Sequence, residues 1–221
     1  MARQIGILVF PKVQQLDLTG PYEVFASLPD TVVHLVWKDL LPVQSATGLT
    51  LVPTQTYAAC PQLDVLCVPG GAGVNPLLHD TETLTFLQAQ AKDALYVTSV
   101  CTGALVLGAA GLLRGRRATT HWASHDLLAL YGAIPTEGRV VRDGNLFSGG
   151  GVTAGIDFSL TLAAELEGEA TAQAIQLFLE YAPEPPFTAG RPETAPASVL
   201  EAVRAKGAAM RAERERLTAQ P

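Results

Sequence analysis

Short apolar runs alternate along the chain with longer stretches of helical spacing. Residues 4–10 (QIGILVF), 31–37 (TVVHLVW), 63–68 (LDVLCV) and 95–100 (LYVTSV) are apolar nearly throughout, without the strict alternation of a half-exposed strand. Such runs fit strands buried on both faces of a sheet. Between them the pattern predicts helices. The segment Asp17-Leu18-Thr19-Gly20-Pro21 reads as a loop opening into a helix, with Pro21 at the first helical position, where its missing N–H costs nothing. A second helix runs from about Thr81 to Lys92, with Asp80 or Thr81 near its cap. An apolar helix leads from Cys101 to Ala110 and stops at Gly111. Residues 119–131 are largely helical, and two further helices occupy 154–166 and 168–181. Leu49 to Val52 suits an edge strand or hairpin arm, and Asp143-Gly144 joins residues 140–142 to 145–147 in a tight hairpin. Alternation of this kind predicts an α/β fold with a mostly parallel sheet covered on both faces. Residues 183–196 are Pro-rich and lead into an Ala/Arg/Glu-rich terminal helix, with no internal repeat anywhere.

Composition narrows the class. The 221 residues are 48% hydrophobic and 16% charged, enough for one large domain with a sizeable core. No apolar run suffices to span a bilayer, and the first run is too short for a secretory signal, so a cytoplasmic protein is expected. A net charge of −6 argues against a nucleic-acid partner. The local basic excess at Arg204, Lys206, Arg211, Arg214 and Arg216 is interrupted by Glu213 and Glu215 and reads as a solvated helix face. Three cysteines (Cys60, Cys67, Cys101) make an odd count that suggests no disulfide framework. His121 and His125 are four residues apart but lack a third evident ligand, so no metal is expected.

In a parallel sheet the ligand crevice lies at the carboxyl ends of the strands. Three features fall there: the Asp17 segment, Gly70-Gly71-Ala72-Gly73, and Cys101. Cys101 stands where a buried strand passes directly into a helix between small residues, Ser99 and Gly103. That is the layout of a nucleophile elbow with Cys in place of Ser. The amides and positive dipole end of the following helix are expected to lower the thiol pKa and favour thiolate. Cys67, inside an apolar strand, reads instead as a core residue. The glycine run can form an oxyanion hole or only a tight turn. Asp17, between Leu16 and Leu18, can cap the helix or be a partly buried acid–base carboxyl, and periodicity does not decide.

The combination Gln14-Gln15-Leu16-Asp17-Leu18-Thr19-Gly20-Pro21, Pro69-Gly70-Gly71, Ser99-Val100-Cys101-Thr102-Gly103-Ala104 and Ala118-Thr119-Thr120-His121-Trp122 resembles the DJ-1/PfpI superfamily, from Ile5 to about Glu180. Within it, Asp17, Cys101-Thr102 and the closing Thr153-Ala154-Gly155-Ile156-Asp157 are most similar to the isonitrile hydratase branch. The resemblance implies a flavodoxin-like sandwich, a homodimer, no cofactor, and a small-molecule isonitrile substrate. It implies a catalytic domain over 1–182, with the Pro-rich linker and helix of 183–221 packed on it. It also implies roles: Cys101 as nucleophile, Asp17 as proton carrier, Thr102 as a donor, Gly71 and Ala72 as oxyanion or substrate-binding amides. His121 reads as a residue behind the site, and Thr153 and Ile156 as crevice wall. Thr102 directly after the cysteine, where peptidase- and glyoxalase-like branches place His, and Asp in place of Glu in the first loop favour a hydratase. A cysteine-based sensor related to AraC-type regulators and a glyoxalase-like enzyme are the alternatives.

Overall fold

The computed structural model describes residues 2–219 of the chain. The elements in order are β1 (Arg3–Leu8), α1 (Gln15–Ala26), β2 (Thr31–Trp37), β3 (Val43–Gln44), β4 (Thr50–Leu51), β5 (Gln55–Thr56), β6 (Val65–Val68), α2 (Val74–Leu77), α3 (Thr81–Ala91), β7 (Tyr96–Val100) and α4 (Gly103–Ala109). Then come β8 (Arg117–Ala118), a 3-10 segment (Trp122–Tyr131), β9 (Ile134–Pro135), β10 (Val140–Asp143), β11 (Leu146–Gly149), α5 (Ala154–Glu167), α6 (Glu169–Phe178) and α7 (Ala197–Thr218). Seven strands form one sheet in the order β10-β11-β7-β6-β1-β2-β5. Only β10 and β11 pair antiparallel; the other neighbours are parallel.

The apolar runs are buried for the reason their composition suggests. Ile5, Ile7, Val65, Cys67, Val68 and Val100 are fully enclosed, because helices lie over both faces of the sheet. One set of helices consists of α1, α5 and α6, which pack on one another. The other comprises α2, α3, α4, the 3-10 segment and α7. The Leu49–Val52 segment supplies a hairpin arm, β4 pairing antiparallel with β3. Gly111 and Gly144 take positive φ, +76° and +59°, where the helix stop and the hairpin turn need them.

Two local expectations are corrected and a third, the helix within 119–131, is refined. The helix after β1 begins at Gln15, not near Pro21, so Asp17 lies in its first turn and Pro21 inside it. The missing Pro21 N–H leaves the Asp17 carbonyl without its helical partner. Packing offsets that loss: the Pro21 ring fits against Gly155 of α5, where an added Cβ would stand 3.0 Å from Cδ. Residues 122–131 wind as a 3-10 segment. Arg211 Nη1 of α7 donates to the Ala123 carbonyl, in the first turn of that segment, at 2.6 Å. The basic face of α7 is not uniformly solvated. Arg211 pairs with Asp126 and Glu215, and Arg214 is buried at 5% exposure.

Candidate active site

Strands β1, β6 and β7 are adjacent in the sheet, so the segments that follow them converge at one rim. They carry Asp17, Gly70-Gly71 and Cys101-Thr102 respectively. Each is held by bonds to another. Gly70 N donates to Asp17 Oδ2 at 2.9 Å, and Gly71 N donates to Thr102 Oγ1 at 3.1 Å. Gly70 must lack a side chain, since a Cβ there would fall 2.5 Å from Thr102 N, 2.6 Å from Thr102 Oγ1 and 2.9 Å from Asp17 Oδ2. Gly103 answers a similar need, because its Cβ would collide with the Val68 carbonyl and hold α4 off the sheet.

Cys101 has φ +53°, a left-handed conformation that non-glycine residues rarely adopt. The strain costs about 1–2 kcal/mol and persists because the surroundings fix both sides of the residue. Its N–H donates to the Gly149 carbonyl of β11 at 3.0 Å. Its carbonyl accepts the Thr120 hydroxyl at 2.6 Å. The elbow read from the sequence is therefore present, and Thr120 is an anchor that sequence reasoning did not single out.

The ionisation expected at the elbow is corrected. Burial raises the Cys101 pKa far above the ordinary thiol value, and the Asp17 carboxyl raises it further. The Thr102 backbone N–H and hydroxyl oppose the rise without reversing it. Helix-end amides cannot compensate for removing a sulfur that is 6% exposed from water. Cys67 and Cys60 are also raised by burial, to about 12 and about 11, so ionisation does not distinguish the three. Position does: Cys67 is sealed in β6, whereas Cys101 faces a carboxyl group.

Asp17 is completely buried. Burial raises its pKa from 3.8 to about 7, against the lowering effect of the Gly70 N–H and the Cys101 thiol. Its Oδ1 has no hydrogen-bond partner of ordinary geometry, although the Cys101 thiol is close enough to influence its titration. A carboxyl that exchanges its proton near neutrality thus stands beside a sulfur that resists ionisation alone. The two groups share protons as a pair.

The remaining expected residues divide. Gly71 joins the cluster, but its N–H is engaged by Thr102. Ala72 lines a separate surface pocket of about 480 Å³ with Pro11, Lys12, Gln44, Ser45, Ala46 and Gly48. Ile156 packs toward Gly20 on α1, one helical turn from Asp17, where an added Gly20 Cβ would be 3.1 Å from Ile156 Cγ1. Thr153 is exposed and accepts from Arg139 Nη2 at 3.1 Å, in a surface network with Asp157. His121 uses Nδ1 to accept the Ala123 N–H at 3.3 Å and lies against Trp122. Burial and then Arg214 depress its pKa, so it is a neutral imidazole and not an imidazolium partner for sulfur. No cluster of metal-ligating side chains occurs among the described residues, and none of their helices is long and apolar enough to cross a membrane.

Residues 3–165 match the DJ-1/PfpI family. Isonitrile hydratase from Pseudomonas putida is 69% identical over 208 residues, covering 94% of this chain and 91% of that protein. A THiJ/PfpI family protein from Pseudomonas syringae has a crystal structure that superposes with a TM-score of 0.97 at 47% identity, covering 100% of this chain and 92% of that one. The HTH-type transcriptional regulator GbdR of Pseudomonas aeruginosa is 33% identical over 152 residues, but the match takes in 67% of this chain and only 41% of the regulator.

Proposed function

Because the chain belongs to the DJ-1/PfpI family, and because its elbow sets a buried carboxyl against the cysteine, we propose that it hydrates isonitriles to N-substituted formamides through a covalent Cys101 adduct. The high identity to the Pseudomonas putida isonitrile hydratase over nearly the whole chain supports the reaction class. The observation that carries the mechanism is Asp17 Oδ1, buried, free of other partners, and beside the thiol.

The chemistry follows from the shared protons. A standing thiolate is disfavoured by burial, so the nucleophile forms as it attacks. Sulfur bonds to the terminal carbon of R–N≡C while its proton passes by way of Asp17 to that carbon, giving the thioimidate R–N=CH–S. Water then adds to the same carbon; one of its protons goes to nitrogen and its oxygen remains as hydroxyl. The C–S bond of R–NH–CH(OH)–S breaks, Asp17 takes the hydroxyl proton and returns it to sulfur, and R–NH–CHO leaves. A carboxyl titrating at about 7 suits both directions of transfer. Thr102 offers its backbone N–H and hydroxyl to charge developing at sulfur. The same reading includes a cytoplasmic homodimer.

The test is formamide formation from an alkyl and an aryl isonitrile, followed by NMR. Cys101→Ala and Cys101→Ser abolish turnover, and Asp17→Asn lowers it by about a hundredfold or more, the range of a lost general acid–base group. Turnover that survives Cys101→Ala removes the covalent route.

A further inference from the structure

We propose that the Arg214 guanidinium, carried by α7 into the wall behind the cysteine turn, is the fixed counter-charge of the Cys101 sulfur. This deepens the reading of Cys101 as the nucleophile and rests on it.

Arg214 lies near the end of a terminal helix, a poor place for a buried cation unless the fold uses it. It is 5% exposed. Nε donates to Asn75 Oδ1 at 2.9 Å, and Nη1 donates to Ser124 Oγ at 2.9 Å. Both acceptors are neutral. They also belong to the two segments that frame Cys101. Asn75 opens α2, directly after the Gly70–Gly73 loop. Ser124 belongs to the 3-10 segment, its N–H bonded to the His121 carbonyl, next to the Thr120 hydroxyl that holds the Cys101 carbonyl. Arg214 therefore ties together the same two walls that position the sulfur.

A buried guanidinium without a contacting carboxylate is costly. The adjacent Glu213 is engaged by Asn75, its Oε2 accepting from Nδ2 at 2.9 Å. Burial loosens the hold of Arg214 on its proton; Cys101 is the foremost group opposing that, ahead of Glu213 and Tyr131, while Arg211 adds to the loosening. His121 responds in the opposite sense and is kept neutral. With Asp17 protonated, Cys101 a thiol and His121 neutral, the buried cluster carries one net positive charge. It becomes neutral when the Asp17–Cys101 pair releases one proton, which above about pH 7 comes from the carboxyl; Arg214 then still opposes the cost of a second negative charge, on sulfur. Arg214 is thus a positioning residue: it does not touch substrate, but it stabilises the charged form of the group that does.

The test is the rate of iodoacetamide alkylation at about pH 8, read on the Cys101 peptide by mass spectrometry; it tracks the thiolate fraction. Arg214→Gln slows alkylation about tenfold, the equivalent of one pH unit in the thiol. Arg214→Lys, which keeps the charge, stays within about threefold of the parent. Asn75→Asp, made together with Glu213→Gln, moves one carboxylate into contact with Nε while leaving the arginine and its helix in place; it too slows alkylation about tenfold. Loosened packing has the opposite sign, because an exposed sulfur alkylates faster. The Asn75→Asp/Glu213→Gln protein decides if Arg214→Gln opens the wall, and alkylation at or above the parent rate in it overturns the proposal. Isonitrile turnover is measured separately. Its absence in the parent, with Arg214-dependent alkylation intact, would remove the hydratase reading and leave the counter-charge standing.

Discussion

Replacing Asp17 by Asn isolates the energetic cost of the proton carrier. The carboxyl is fully buried, and its pKa rises from 3.8 to about 7 on folding, with burial as the main cause. Between those values the folded chain holds a proton that the unfolded chain has released. Stability therefore falls as pH rises through this window. The cost is absent below about pH 4, grows between about pH 4 and 7, and is complete above about pH 7. At ~1.4 kcal/mol per pH unit, a span of about 3 units amounts to about 4 kcal/mol. Asp17→Asn removes it, since the amide keeps an oxygen for the Gly70 N–H and never ionises. The variant is thus expected to be more stable than its parent above neutrality, by up to about 4 kcal/mol, and the advantage shrinks as pH falls. Urea unfolding of both proteins, under reducing conditions and at several values between about pH 4 and 8, gives the difference directly. Groups not coupled to position 17 cancel in it. A stability difference that stays flat over that range refutes the reasoning. It would mean that Asp17 is ionised in the fold and that the proton inventory of the pair is wrong.

Two more outcomes follow from the same pair. The pH profile of kcat/KM rises through an apparent pKa near 7, belonging to Asp17 and Cys101 jointly, and this inflection is missing from the residual activity of Asp17→Asn. Thr102→Val, which keeps the shape but strands the Gly71 N–H, lowers stability by about 1–3 kcal/mol in urea unfolding and reduces turnover, because the hydroxyl also faces the sulfur.

Much of the molecule was legible from local pattern. Continuous apolar runs such as LDVLCV announce strands covered on both faces, and the Asp143-Gly144 turn announces the antiparallel edge pair. The approach of Cys101 to Asp17 could be anticipated because β1 and β7 belong to a parallel sheet whose loops meet at one end. What was not legible depended on partners distant in sequence. Pro21 reads as a helix start until Gly155 of α5 supplies the space its ring needs. The 3-10 segment of residues 122–131 is held by Arg211, far along the chain. Arg214 looks like its exposed neighbours until Asn75 and Ser124 are seen to receive it. The thiol went wrong for a related reason: the amides at a helix end are visible in sequence, but the depth of burial that opposes them is not.

The backbone at position 101 has a consequence for when the site takes shape. A nascent chain has no reason to choose φ +53° at a cysteine. That shape is imposed by a carbonyl at Gly149 and a hydroxyl at Thr120, both synthesised later than the sulfur they hold. A fragment ending before β11 would contain the thiol but only as an ordinary cysteine. Completing the sheet thus confers geometry and not ionisation: it is the last strand that fixes the sulfur against its proton carrier, Asp17.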